Sequence, residues 1–162
     1  MPYRRDLAVA YAHKWAFGRN PSYYNFEKLG GDCTNFASQC LYAGSSVMDY
    51  TPTFGWFYIS ANNKAPAWTG VSYFHQYVTR KNRHSGPFGV EIAMEQAEPG
   101  DFVQLSFRDR VFIHTPIIVS TGTPPAPDNI LIAAHTYDSD NRPLSTYTIE
   151  AMRFLHIQGV YR

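Results

Sequence analysis

No apolar run in this chain approaches the roughly 20 residues that a membrane-spanning helix needs, so no transmembrane segment is expected. Charged side chains are scarce, at 17%, and nearly cancel to a net +1. The densest basic stretch is the scattered "RKNRH" at 80–84. That falls far short of the basic face that nucleic acid demands, and no nucleic-acid partner is expected. Cysteine occurs only twice, too seldom for a disulfide scaffold and uninformative about compartment. The N-terminal "MPYRRDLAVAYAHKW" lacks an apolar stretch ending in small residues and does not read as a signal peptide. The compartment stays open, a secreted or cell-wall-associated module of a longer protein being one setting. Neither an internal repeat nor a low-complexity tract interrupts the 162 residues. They are read as one domain, 1–162, large enough to bury a core without staples.

Aromatic residues, by contrast, are plentiful: 12 Tyr, 11 Phe and 3 Trp. They crowd into 45–70, where "YTPTFGWFYIS" and "APAWTG" follow no period. This segment reads either as a loop pinned to the domain by its own rings or as a surface for substrate, with Trp56 and Trp68 as the residues to inspect.

Leu7, Ala8, Tyr11, Ala12 and Trp15 recur at helical spacing and predict an amphipathic helix of about four turns, stopped by Gly18 and the Asn20-Pro21 pair. A second helix opens at "DCTNFASQCLYAG", with Asp32 as N-cap, an apolar face of Phe36, Ala37, Cys40 and Leu41, and Gly44 as its C′ residue. "VSYFHQYVTRKN" (71–82) predicts a third helix, ending before the turn-rich "HSGPFG". Beyond Pro99-Gly100 the content is that of strands, at 101–107, 111–120, 129–137 and 152–161, separated by turn chemistry. Helices first and an antiparallel meander afterwards indicate an α+β domain, with the N-terminal helices packed on one face of an antiparallel β-sheet.

Asp32 as a cap would put Cys33 at the first helical position. Free backbone N–H groups and the positive end of the helix dipole would then stabilise a thiolate, the usual origin of a reactive cysteine. Gly30-Gly31 would let a substrate carbonyl approach the backbone, and the Cys33 N–H would serve as an oxyanion donor. Cys40 lies two turns further on, about 10 Å along the axis, so the two sulfurs cannot bond. It is read as a buried structural thiol. A thiol nucleophile needs a base. Among the six histidines, His13, His75, His84 and His156 read as surface or core residues. His114 and His135 sit on predicted strands after the cysteine helix, where both rings could lie over its N-terminus.

"GGDCTNFASQCLYAG", "PGDFVQLSF", "FIHTPIIVSTG", "AAHTYDSDNRPLS" and the leading "YRRDLAVAYAHKWAFGRNPSYYNF" together closely resemble a papain-like bacterial amidase domain family, related to the NlpC and CHAP cysteine peptidases and amidases. The likeness covers nearly the whole chain, and "GGDCTNFASQCL" is its most specific part. It implies a papain-like (NlpC/CHAP-like) core and a cysteine amidohydrolase acting on a peptide or on the stem peptides of peptidoglycan, with no metal or organic cofactor. Cys33 would be the nucleophile and His114 the general base and acid. His135 would bond the far ring nitrogen of His114 and fix its tautomer, with Asp138 and Asn141 as alternative orienters and Asp32 holding the loop around the sulfur. For the second oxyanion donor, Asn35 and Tyr24 are nearer in sequence than Gln39, and both count as substrate-binding candidates with Trp56 and Trp68. One departure is Thr115-Pro116 directly after His114: a proline there requires an edge or a bulge. Two rivals stand beside this reading. Cys33, His114 and His135 are a legitimate zinc set with water as fourth ligand, and the scaffold could be a catalytically silent wall- or peptide-binding module.

Overall fold

Small residues decide where the first two helices meet. The computed structural model describes residues 1–82 and 84–162; Arg83, in the basic stretch noted above, lies outside the described residues. Helix α1 (Arg5–Trp15) lays its buried Ala8 and Ala12 on α2 (Cys33–Ser45). Leu7, expected on that face, is 42% exposed. Gly44 is not the residue beyond the helix end. It lies inside α2, where a Cβ would come within 2.5 Å of the Tyr3 ring and 2.8 Å of the Arg4 carbonyl. The helix ends one residue later, capped by Ser46 in the left-handed region. Helix α2 is buried along most of its length, its side chains at Thr34 through Leu41 all enclosed, so it is the central helix of the domain rather than a surface one.

The ring-rich segment folds as a short hairpin, β1 (Tyr58–Ser60) with β2 (Asn63–Lys64), followed by α3 (Pro66–Thr69) and α4 (Val71–Val78). Its indoles face inward. Trp56 and Trp68 are fully buried, with ring centroids 4.8 Å apart. Their N–H groups donate to Ser38 Oγ and Asn35 Oδ1 on α2. These rings pin the segment to the central helix and are out of reach of a substrate, which corrects the expectation for both.

The remaining strands are β3 (Gly86–Ile92), β4 (Phe102–Ser106), β5 (Phe112–His114), β6 (Ile117–Ser120), β7 (Leu131–Ala134), β8 (Ser139–Pro143) and β9 (Ala151–Tyr161). They form one antiparallel sheet of order β3-β9-β4-β6-β7-β8, with β5 paired to β4 off that path. It is not a simple meander, because the last strand enters between β3 and β4. The α+β arrangement, with the helices on one face, is as expected. Phe102, Ile117, Ala133 and Leu155 pack with the helices, while Leu105, Ile118, Ile132 and Phe154 close a second cluster on the opposite face. The run 111–120 breaks at Thr115-Pro116, which separates β5 from β6. The missing proline N–H thus costs no ladder bond, and the Pro116 carbonyl still accepts from Val103 N–H at 3.0 Å. Among the described residues no helix is long and apolar enough to cross a membrane.

Candidate active site

Cys33 is the first residue of α2, and its sulfur is half-buried. The thiol donates toward the Ile113 carbonyl at 3.8 Å and lies 3.7 Å from Thr34 Oγ1. The sulfur therefore rests against the main chain just before His114. The neighbouring Thr34 and Thr115 hydroxyls meet at 3.1 Å and pin the helix start to the strand. Burial pushes the Cys33 thiol up. The hydrogen bonds from Thr34 and Thr115 pull it down without overcoming that effect, and the nearby Asp32 charge adds to the rise. The expectation of a lowered thiol pKa is thus corrected: desolvation of the anion outweighs the bonds that favour it. Cys40, also free, is fully buried.

His114 is buried. Its Nε2 meets the Tyr147 hydroxyl at 3.3 Å, and among the described residues its Nδ1 has no hydrogen-bond partner. The Tyr147 and Phe107 rings flank the imidazole. The Arg142 guanidinium covers the Tyr147 ring, 3.6 Å from its centroid. Burial, aided by the charge of Arg142, lowers the His114 pKa to about 4. Tyr147 is a residue that sequence reasoning missed. No motif marks it; a short 3-10 turn at Leu144–Thr146, after β8, carries it over the edge of the sheet.

His135 does not orient His114. Its Nδ1 meets Asp32 Oδ2 at 2.5 Å, and its Nε2 meets the Trp15 carbonyl at 2.8 Å and Arg19 Nη1 at 3.2 Å. Both nitrogens are occupied, and the ring stacks on Phe36 with centroids 3.9 Å apart. The cause is parity. Ile117 pairs with Ala133, so residue 135 shares the helix-side face with Thr115, whereas His114 shares the opposite face with Leu105. Asp138 is claimed by a two-pronged bond with Arg19, at 2.9 and 3.0 Å. Asn141 sits exposed in β8. Neither alternative orienter reaches His114 through a hydrogen bond.

Asp32 is no side-chain cap. Its carboxylate turns back from the helix to accept the Phe26 N–H at 2.8 Å and Asn35 Nδ2 at 2.9 Å, besides His135. Burial pushes the Asp32 carboxyl up, but the bonds from His135, Asn35 and Phe26 outweigh it and hold the group below its ordinary value. Arg19, bonded to Glu27 and Asp138 and 3.5 Å from Asp32, closes the network over the loop that leads to Cys33. Asn35 is buried, donating to the Tyr24 carbonyl and accepting from Trp68, so it is structural rather than a substrate contact. Gln39 is likewise engaged by Tyr11. Tyr24 is the one early candidate on the surface, 45% exposed. It lines a cleft of about 560 Å³ with Leu29, Gly30 and Gly31, just ahead of Cys33. Both glycines hold positive φ, and nothing lies within 4 Å of where a Gly30 Cβ would be, so the backbone there is open to a ligand. Cys33, His114 and His135 do not assemble as a ligand set, and among the described residues no three His, Cys, Asp or Glu side chains gather as a metal site.

A family model described as "Putative amidase domain" matches residues 2–157. The chain is also 36% identical over 144 residues to the uncharacterized protein YhbB of Bacillus subtilis (strain 168). That match covers 86% of this chain and 43% of the relative, so the chain spans less than half the length of the curated protein it matches. No solved structure matches.

Proposed function

The chain belongs to this amidase domain family, and from that premise we propose that it hydrolyses an amide bond on a papain-like (NlpC/CHAP-like) core, with Cys33 as nucleophile and His114 as base. The observation that carries the reading is the half-buried sulfur at the first position of α2, seated against the main chain that flanks an imidazole whose Nδ1 is unclaimed. The substrate is a peptide, the stem peptide of peptidoglycan being the class that the resemblance favours.

At rest the pair is a thiol and a neutral imidazole, not an ion pair. His114 takes the thiol proton as sulfur attacks, so the S–C bond forms while the carbonyl becomes an oxyanion. The Cys33 N–H, which opens the helix, donates to that oxyanion, and Tyr24, on the wall of the cleft, is the candidate for a second donor. The imidazolium returns the proton to the leaving nitrogen, and the C–N bond breaks. Water, deprotonated by the same ring, then cleaves the thioester.

Incubation with purified peptidoglycan and with a peptide library, read by mass spectrometry, tests this. New amine and carboxyl ends that vanish after alkylation by iodoacetamide and persist in chelator are expected. Turnover that iodoacetamide spares would remove the cysteine from the chemistry, and no turnover at all would favour a silent binding module. The pH profile follows from the two groups. With the base near 4 and the thiol above its ordinary value, kcat/KM should stay level from about pH 5 to 8 and fall only as the pH approaches 4. A resting thiolate–imidazolium pair would instead place its acid limb at the thiol.

A further inference from the structure

The cleft ahead of Cys33 holds a cation with no anion to neutralise it. Lys64 ends strand β2, and its half-buried side chain lines that cleft with Phe26, Gly30, Gly31 and Asn62. Its Nζ donates to the Ala61 carbonyl at 2.7 Å and lies 4.8 Å from the centroid of the buried Phe26 ring. Among the described residues no carboxylate pairs with this ammonium, and no Asp or Glu stands in the cleft wall. An ammonium has three hydrogens to donate, and the Ala61 carbonyl takes one of them. The ring face favours the charge and leaves the other hydrogens unclaimed. Nor does the hairpin need Lys64 to stay in place. Tyr58, its partner across the hairpin, accepts the Tyr24 N–H at 2.8 Å and packs on Tyr23 and Trp68, with centroids 5.0 and 5.9 Å away. The Ala65 N–H adds a bond to the Phe57 carbonyl at 3.0 Å. A half-buried charge without a counter-ion costs stability, and what Ala61 and Phe26 secure is its position in a cleft whose backbone at Gly30 is open.

We infer that Lys64 binds a carboxylate of the substrate, so that the amide this chain prefers belongs to a peptide with a free carboxylate close to the bond that is cut. The inference rests on the Cys33–His114 reading for the reaction and deepens it by naming a substrate class, acidic peptides over neutral ones. Gly31 is part of the cleft wall and stands two residues ahead of Cys33, a backbone reach of at most about 7 Å. A peptide whose carboxylate sits on Lys64 can therefore run along Gly30-Gly31 toward the sulfur. The carboxylate of an acidic side chain and that of a chain terminus offer the ammonium the same chemistry, and the two are told apart by experiment.

Titration of nitrogen-15-labelled protein with two matched pairs of peptides, followed by NMR, makes the test. Acetyl-Ala-Glu-Ala-amide is set against acetyl-Ala-Gln-Ala-amide, and acetyl-Ala-Ala-Ala with a free C-terminus against its amide. The acidic member of at least one pair is expected to bind on the order of 10-fold tighter than its neutral partner, as one charge-assisted bond implies, with shifts at the Gly30, Gly31 and Lys64 amides. Which pair shows the preference identifies the source of the carboxylate, and high salt should narrow the gap. Lys64→Met keeps an unbranched stem over Phe26 and should erase the preference, while Lys64→Arg should restore most of it, which replacement of a merely structural lysine would not do. Equal binding within both pairs overturns the inference, and that comparison needs no variant to fold. So does a preference that survives in Lys64→Met. Binding is read apart from turnover: a protein that holds acidic peptides through Lys64 and cleaves no amide would refute the hydrolase and leave the carboxylate site standing. Cys33-dependent hydrolysis with the same KM for acidic and neutral substrates would do the reverse.

Discussion

Replacing Cys33 with alanine is expected to lower amide hydrolysis by on the order of 10⁴-fold or more while leaving the fold unchanged. Loss of the atom that bonds to carbon removes the covalent route entirely, and what remains comes from substrate binding and oxyanion donors alone. The structural cost should be small. The sulfur's contacts are weak, at 3.7 and 3.8 Å, its side chain is half-buried, and alanine is well tolerated at a first helical position. A melting temperature within about 2 °C of the parent, beside a flat progress curve, is the expected pair of results. Cys33→Ser should be nearly as inactive, because an alcohol is far harder to deprotonate than a thiol with a neutral imidazole as its only base. Turnover by the alanine variant at the parental rate would remove Cys33 from the chemistry altogether.

Asp32→Ala should cost most in stability, about 3–5 kcal/mol, or roughly 10 °C in melting temperature for a chain of this size. The carboxylate is fully buried and accepts from the Phe26 N–H, from Asn35 and from His135, and its removal strands all three. Asp138→Ala is the control. It also pairs with Arg19, but its side chain is 30% exposed, and solvent screening limits the loss to about 1 kcal/mol. Comparable losses in the two variants would show that the buried network is not what anchors the loop before Cys33. Acid should dissect the same interactions. The folded pKa of His114 lies near 4, below the ordinary histidine value of about 6.5, so the unfolded chain takes up a proton in that window and the folded chain does not. Stability therefore declines from about pH 6.5 toward 4. Asp32, held below its ordinary value, stabilises fully above that value and is lost as the pH falls further. The alanine variant should keep the first decline and lose the second.

The helix that presents Cys33 was legible in the sequence because its signals are local: an apolar face at Phe36, Ala37, Cys40 and Leu41. An irregularity at Thr115-Pro116 was legible for the same reason, since proline speaks for its own backbone, although the sequence suggested an edge or a bulge and the structure divides the run into two strands. Two edge strands were not. Strand β3 begins at Gly86 with φ +82, followed by Pro87, so "HSGPFG" reads as a turn although an edge strand accommodates both residues. Strand β8, "SDNRP", is polar throughout, and only its pairing with β7 makes it a strand. The misplacement of His135 has a different origin. Histidines on neighbouring strands look equivalent in a linear pattern, but side-chain direction alternates, and one residue of parity sends the two rings to opposite faces. Tyr147 reaches His114 through a turn whose course no local signal predicts. The buried indoles of Trp56 and Trp68 show a further limit: composition counts rings, and only packing says which way they face.

On the proposed mechanism, burial of Cys33, which pushes its thiol up, has a consequence for survival as well as for rate. Peroxide oxidises the anion, and sulfenic, sulfinic and sulfonic acids follow from that first step. If the thiol gives up its hydrogen only in the proposed attack on substrate, peroxide should damage it slowly between turnovers, and that damage should track the time spent working rather than the time spent exposed.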